Sequence, residues 1–254
     1  MRSFDYIESG KTLLTPHTTS LLAAIHEAKG RQSIQTTIRP DILGTLVAVA
    51  RIQSTDASNR IEGISTSDSR LNDLVSEKVT PRNRNEEEIA GYRDALSVIH
   101  ESHDYIPITP NVILQLHRDL FRHTPLTFAG HFKDSDNVII ERDAHGTSTV
   151  RFAPPSALVT PELIERACSA YTQAIRDGHT DPLLAIAMFI LDFTCIHPFN
   201  DGNGRMSRLL TLLMLCRNGY MVGKYISIEH LIEQSKSTYY EALAASTKLG
   251  RQRQ

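Results

Sequence analysis

The chain has 254 residues, 41% of them apolar and 22% charged, a composition that excludes disorder, collagen and a coiled coil and provides for one large core. Lys plus Arg number 27 against 29 Asp plus Glu, so no global basic field exists to draw the chain onto nucleic acid or an acidic membrane surface. Three scattered cysteines, Cys168, Cys195 and Cys216, argue against a disulfide framework and for a reducing, cytoplasmic setting.

Apolar residues recur at three and four positions through most of the chain, which predicts helices over about 17–29, 40–62, 68–78, 86–103, 109–123, 161–177, 182–196, 204–218 and 236–248. Ahead of the first, Met1 to Thr15 mixes Arg2, Asp5, Glu8 and Lys11 with single apolar residues and holds no apolar run of a signal peptide. Pro81 to Asn85 reads as a polar loop, and Glu86-Glu87-Glu88 as the acidic first turn that suits a helix dipole. Thr109-Pro110 and Thr160-Pro161 read as an N-cap followed by Pro at the first helical position, and Asn218-Gly219 as a C-terminal stop. His100, His103, His117 and His123 have no partner at metal-ligand spacing and are assigned surface or cap roles. The run Pro182 to Ile196 is interrupted by Asp192 and falls short of the ~20 apolar residues of a membrane span, so it reads as a buried core helix.

One segment departs from helical periodicity. Val138-Ile139-Ile140 and Thr149-Val150-Arg151-Phe152 flank Asp143-Ala144-His145-Gly146, which predicts a β-hairpin over 136–152. It is either a flap whose open edge accepts an extended peptide or a plain connection. The expected division is a helical region over 1–105 and a second unit over 106–250, after which no apolar pattern continues.

The chemistry concentrates in His197-Pro198-Phe199-Asn200-Asp201-Gly202-Asn203-Gly204-Arg205-Met206-Ser207-Arg208, between two apolar helices. Gly202 and Gly204 allow a tight loop with exposed amides that runs into a helix N-terminus, a ready anion site. Arg205 and Arg208 are three apart, so two guanidinium forks can hold successive phosphates. Cations at the positive end of a helix dipole conflict with stability unless an anion compensates, and that conflict points to function. Asp201 adds a hard oxygen ligand suited to Mg²⁺ shared with phosphate and water. The unperturbed pKa of a histidine suits His197 to general-base work at neutral pH, while Phe199 reads as the loop's anchor. Met206, with Met214 and Cys216, follows helical spacing and reads as core packing, and Met206 and Ser207 complete the candidate nucleotide-binding turn.

This run resembles the signature of the Fic family, His-x-Phe-x-(Asp or Glu)-Gly-Asn-Gly-Arg-x-x-Arg, and matches every specified position. The resemblance extends over about 50–248 and implies an all-α domain with a small β-hairpin flap. It implies transfer of AMP from ATP, with Mg²⁺, to a hydroxyl of a target protein or of the chain itself. By it, His197 is the catalytic base and Asp201 the Mg²⁺ ligand. Gly202, Asn203, Gly204 and Arg205 cradle the α- and β-phosphates, and Arg208 holds the γ-phosphate. Ala129-Gly130-His131-Phe132-Lys133 resembles the approach to the family's flap, with Val138, Ile139 and Ile140 on it, and Tyr239-Tyr240 resembles the tyrosine pair bordering the adenosine.

Ser58-Asn59-Arg60-Ile61-Glu62-Gly63, at the end of the 40–62 helix, is similar to the family's inhibitory (Ser or Thr)-x-x-x-Glu-(Gly or Asn) motif. Its position ahead of the core implies the class with an N-terminal inhibitory helix over about 40–63. By itself such a match is more often a helix end with a Gly C-cap. Two other readings remain: a non-catalytic regulator that binds nucleotide or a partner, and removal of AMP at the same site with Glu62 orienting a water.

Overall fold

In the computed structural model, residues 4–38, 40–142, 148–176 and 178–252 are described. In chain order the helices are α1 (Tyr6–Leu13), α2 (Pro16–Ile38), α3 (Pro40–Ile61), α4 (Asp68–Val75), α5 (Arg84–Ser102), α6 (Pro110–Leu120), α7 (Thr160–Arg176), α8 (Pro182–Ile196), α9 (Asn203–Arg217), α10 (Val222–Tyr225), α11 (Ile228–Gln234) and α12 (Lys236–Gln252). Between α6 and α7 lie the strands β1 (Ile139–Arg142) and β2 (Ser148–Phe152).

Local chemistry sets the helix ends. Thr109 caps α6 by accepting from the Val112 N–H, with Pro110 at the first helical position. Asp181 caps α8 through the Leu183 N–H, and Asn83 caps α5 through the Glu86 N–H. α8 is apolar on nearly every side, so it is stable only when surrounded, and α7, α9 and α1 pack against it. Phe189 and Phe193 of α8, Leu96 of α5, Leu120 of α6, Ile164 of α7 and Leu210 of α9 meet in one core and are all fully buried. A second cluster, Leu71, Leu74, Val75 and Ile89, seats α4 beside α5. Among the described residues no helix is long and apolar enough to cross a membrane.

The elements depart from those expected at α1, at α2 and at α10 and α11. α1 forms although its apolar pattern is sparse, because the Tyr6 hydroxyl donates a buried 2.9 Å hydrogen bond to Asp192 on α8, which also explains a carboxylate in an apolar helix. α2 runs 23 residues rather than 13, and α10 and α11 occupy a stretch for which no helix was predicted. The hairpin forms antiparallel, with Ile140 opposite Val150 and an irregularity between Ile139 and Ile140; the Asp143 to Gly146 turn lies outside the described residues. All three cysteines are free, and Cys168 and Cys216 are buried.

Candidate active site

α8 ends at Ile196, and His197 continues it in the left-handed region, φ 51° and ψ 63°, while its N–H still donates to the Phe193 carbonyl at 3.0 Å. A non-glycine residue there carries strain of roughly 1 kcal/mol, held in place by its surroundings. Phe199 is wholly buried and anchors the loop. The Asn203 side chain closes it, accepting from the Phe199 N–H at 2.9 Å and donating to the Phe199 carbonyl at 2.8 Å. Gly202, at φ +81°, is the N-cap residue of α9, and a Cβ there would lie 2.9 Å from the Phe121 ring.

These contacts divide the labour within the motif. The Gly202 N–H is taken by the Asp201 carboxylate at 2.6 Å, whereas the N–H groups of Asn203, Gly204 and Arg205 have no intrahelical acceptor by helix geometry. Asn203 therefore offers an anion its main-chain amide, its side chain being committed to the loop. Met206 is fully buried in the core, so its side chain takes no part in the site. The Ser207 hydroxyl donates to the Gly204 carbonyl at 2.7 Å.

His117 departs from its expected surface or cap role. It is completely buried, and its ring lies parallel to Phe199 with centroids 3.7 Å apart. Nδ1 accepts from the Gly130 N–H at 2.9 Å, so Nε2 carries the hydrogen and donates to the Asp201 carbonyl at 3.1 Å. Burial, helped by the charge of Arg205, pushes its pKa down to about 4. The signal was available: His117 falls on the same face of α6 as Ile113, Leu116 and Leu120. His100 is likewise buried, its pKa pushed down to about 4 by burial and by Lys224 and Arg51.

These two histidines make stability fall on acidification. Folded they stay neutral to about pH 4, while unfolded they protonate near 6.5, so between those values the unfolded chain binds more protons. Stability is fully present above pH 6.5 and is lost as pH falls towards 4, by on the order of 3 kcal/mol for each histidine at 1.36 kcal/mol per unit. Glu86, whose carboxyl Arg70 holds at about 2, stays ionised in the folded state across this window while its unfolded form protonates near 4.5, so it adds to the loss at the acid end. The urea midpoint should drop steeply from pH 7 to pH 4.5; equal midpoints would refute this account.

Both motif arginines meet carboxylates supplied by the protein. Arg205 is 1% exposed, places Nη1 2.7 Å from Glu88 Oε2 and lies over the Phe121 ring at 5.0 Å. Glu88 also accepts from Arg84 Nε at 2.7 Å, and Arg84 Nη2 lies 3.5 Å from Asp201 Oδ2. Arg208 is 3% exposed; Nε donates to Ser58 Oγ at 2.8 Å, and Nη2 donates to the Ser58 carbonyl at 2.9 Å and to Glu62 Oε1 at 2.7 Å. The dipole conflict seen in the sequence is thus relieved by Glu88 and Glu62. Glu88, read as a first-turn charge complementing the helix dipole, is the buried partner of Arg205.

Glu62 follows α3, whose end is closed by Gly63 at φ +80° and by the Ile64 N–H bonded to the Asn59 carbonyl at 3.0 Å. Lys236, at the start of α12, donates to the Ile61 carbonyl at 3.1 Å and ties this end down. The carboxylate lies against α9: a Cβ on Gly204 would stand 2.1 Å from Glu62 Oε1. Tyr239 and Tyr240 meet edge to face, centroids 5.5 Å apart. Burial pushes the Tyr239 hydroxyl up, opposed by the charge of Arg208, which places the pair beside the same arginine. His197 is pushed below its ordinary value by burial and by the charge of Lys133; the Thr194 carbonyl and Glu62 act in the opposite direction.

Residues 107–215, from just before α6 to the end of α9, match the model of the Fic/DOC family. The chain carries a Fic/DOC-family domain. Among curated proteins it is 37% identical over 90 residues to a Fido domain-containing protein of Dictyostelium discoideum, covering 34% of this chain and 58% of that one. It is 28% identical over 145 residues to the protein adenylyltransferase fic-1 of Caenorhabditis elegans, covering 54% of this chain and 25% of the relative. The chain thus spans less than two thirds of either relative's length. A Fic family protein from Desulfovibrio desulfuricans shares the fold at 24% identity and TM-score 0.75, over 93% of this chain and 68% of that one. A Fic domain-containing protein from Bacteroides thetaiotaomicron does so at 24% identity and TM-score 0.71, over 87% and 80%.

Proposed function

We propose that the chain is a protein adenylyltransferase, moving AMP from ATP to a hydroxyl side chain of a target protein or of the chain itself, and that Glu62 restrains it. The observation carrying this reading is the continuity of His197, the three amides at the start of α9 and Arg208, with a carboxylate already seated on that arginine. A guanidinium that already holds a carboxylate, beside helix-start amides without an intrahelical acceptor, offers the donors a polyphosphate needs.

In this reading His197, uncharged at neutral pH, accepts the proton of the incoming hydroxyl. The freed oxygen attacks the α-phosphorus, the bond from that phosphorus to the oxygen bridging the β-phosphate breaks, and pyrophosphate departs against the α9 amides and Arg208. Asp201, its side chain 46% exposed beside those amides, would hold a Mg²⁺ ion, which would neutralise phosphate charge. Ser58 and Glu62 hold Arg208 until the nucleotide displaces the carboxylate.

Incubating Glu62→Gly protein with Mg²⁺ and ATP labelled at the α-phosphate should leave label on denatured protein. Label retained only from the γ-phosphate would mean phosphoryl transfer instead, and none from either position overturns the reading. The hairpin supplies a further check. Proline at Ile140, opposite Val150, should reduce modification of a protein target and spare ATP binding, because it constrains the strand and removes a donor. Unchanged target modification by that variant removes the hairpin from target docking.

A further inference from the structure

We propose that Lys133 is the positioning residue of His197: it ties the base of the hairpin to the end of α8 and keeps the imidazole ready to accept a proton. This inference rests on the reading of His197 as the base. Lys133 is 3% exposed, an unusual burial for a lysine, and it lies on the segment entering the hairpin rather than on the motif. Its Nζ donates to the Ile196 carbonyl at 3.2 Å, an end-of-helix carbonyl directly before His197, and to Asn137 Oδ1 at 3.0 Å. Its main-chain N–H donates to the Pro198 carbonyl at 2.8 Å. One residue therefore grips the chain on both sides of His197, the position held at φ 51°.

The grip continues along the segment. Asn137 Nδ2 donates to the Phe199 carbonyl at 3.3 Å, and Asn200 Nδ2 donates to Asp134 Oδ1 at 3.3 Å. Residues 133–137 are thus bonded to 196–200 immediately before β1 begins, so the peptide-docking edge and the base share one rigid seam. A cation at the C-terminal end of α8 is also favoured by the helix dipole.

The charged groups facing His197 are Lys133 from this segment and Glu62 from the end of α3, and α8 presents the Thr194 carbonyl. Glu62 favours the protonated ring and Lys133 disfavours it. Removing the lysine charge leaves burial alone to oppose Glu62 and the Thr194 carbonyl, and the base then holds its proton to higher pH.

The test is an NMR titration of the His197 ring, assigned against His197→Ala, in wild type, Lys133→Gln and Lys133→Arg. The wild-type midpoint should lie below 6.5. Lys133→Gln keeps a donor for Ile196 but loses the charge, and should raise the midpoint by roughly 0.5–1 unit. Lys133→Arg should restore it. In the Glu62→Gly background the acid limb of transfer should move up by the same amount in Lys133→Gln, with the KM for ATP unchanged. A folded Lys133→Gln variant with an unmoved midpoint overturns the proposal, and so does a wild-type midpoint at or above 6.5, which decides the matter even if that variant does not fold. Absence of AMP transfer from every variant overturns the adenylyltransferase reading, while the titration still judges Lys133.

Discussion

His197→Ala should lower AMP transfer by about 10²–10⁴-fold, the usual contribution of a positioned general base, while leaving fold and ATP affinity in place. The expectation follows from the ring's surroundings: it stands at the head of the loop, pushed below its ordinary pKa by burial and by Lys133. A charged imidazole could not take a proton, so transfer should also fall as pH drops through the His197 titration in the parent enzyme. Because residue 197 has left-handed backbone, alanine there could weaken the loop for reasons unrelated to proton transfer. His197→Asn separates the two effects, since asparagine tolerates that conformation better yet accepts no proton near neutrality. Both variants should bind ATP as the parent does and transfer equally poorly, measured in the Glu62→Gly background by label retained on protein. Near-normal transfer by either would remove His197 from the role of base.

The loop was legible in the sequence because its chemistry is contiguous. Eight specified residues within twelve positions fix a turn, an anion cradle and a helix start in one short stretch of chain. The start of α6 at Thr109-Pro110 was legible for the same reason, since a cap bonds within its own first turn.

What periodicity could not show is pairing across long separations. Arg205 finds its carboxylate on α5, Asp201 has its carbonyl held from α6, and Tyr6 meets Asp192 186 positions away. Each of these residues looks ordinary in its own element: Glu88 completes an acidic first turn, His117 sits among apolar neighbours, and Lys133 is one lysine in a polar stretch. Their roles arise only when helices bring them to the loop. The same limit left Arg205 in apparent conflict with the helix dipole, when its compensating anion was Glu88 of α5.

Glu62→Gly should raise AMP transfer by about one to two powers of ten. The carboxylate bonds Arg208 at 2.7 Å on a guanidinium that is 97% buried, and a charge-assisted contact of that kind is worth roughly 1.5–3 kcal/mol. At 1.4 kcal/mol per tenfold, removing it lowers the cost of seating a phosphate there by the stated amount if the whole contact opposes productive binding. The carboxylate also stands over Gly204, so its removal opens the space above the α9 amides as well. Glu62→Gln, which keeps size but not charge, should give a smaller rise. The gain should vanish when Arg208 or His197 is also replaced by alanine, because the released arginine and the base act on the same nucleotide. The opposing account, in which Glu62 only finishes α3 ahead of Gly63, predicts a modest loss of stability and transfer that is unchanged or lower. Measuring AMP incorporation and thermal midpoints for the parent, Glu62→Gly, Glu62→Gln and the two double variants separates the accounts, and a single variant without gain means Glu62 does not restrain the site.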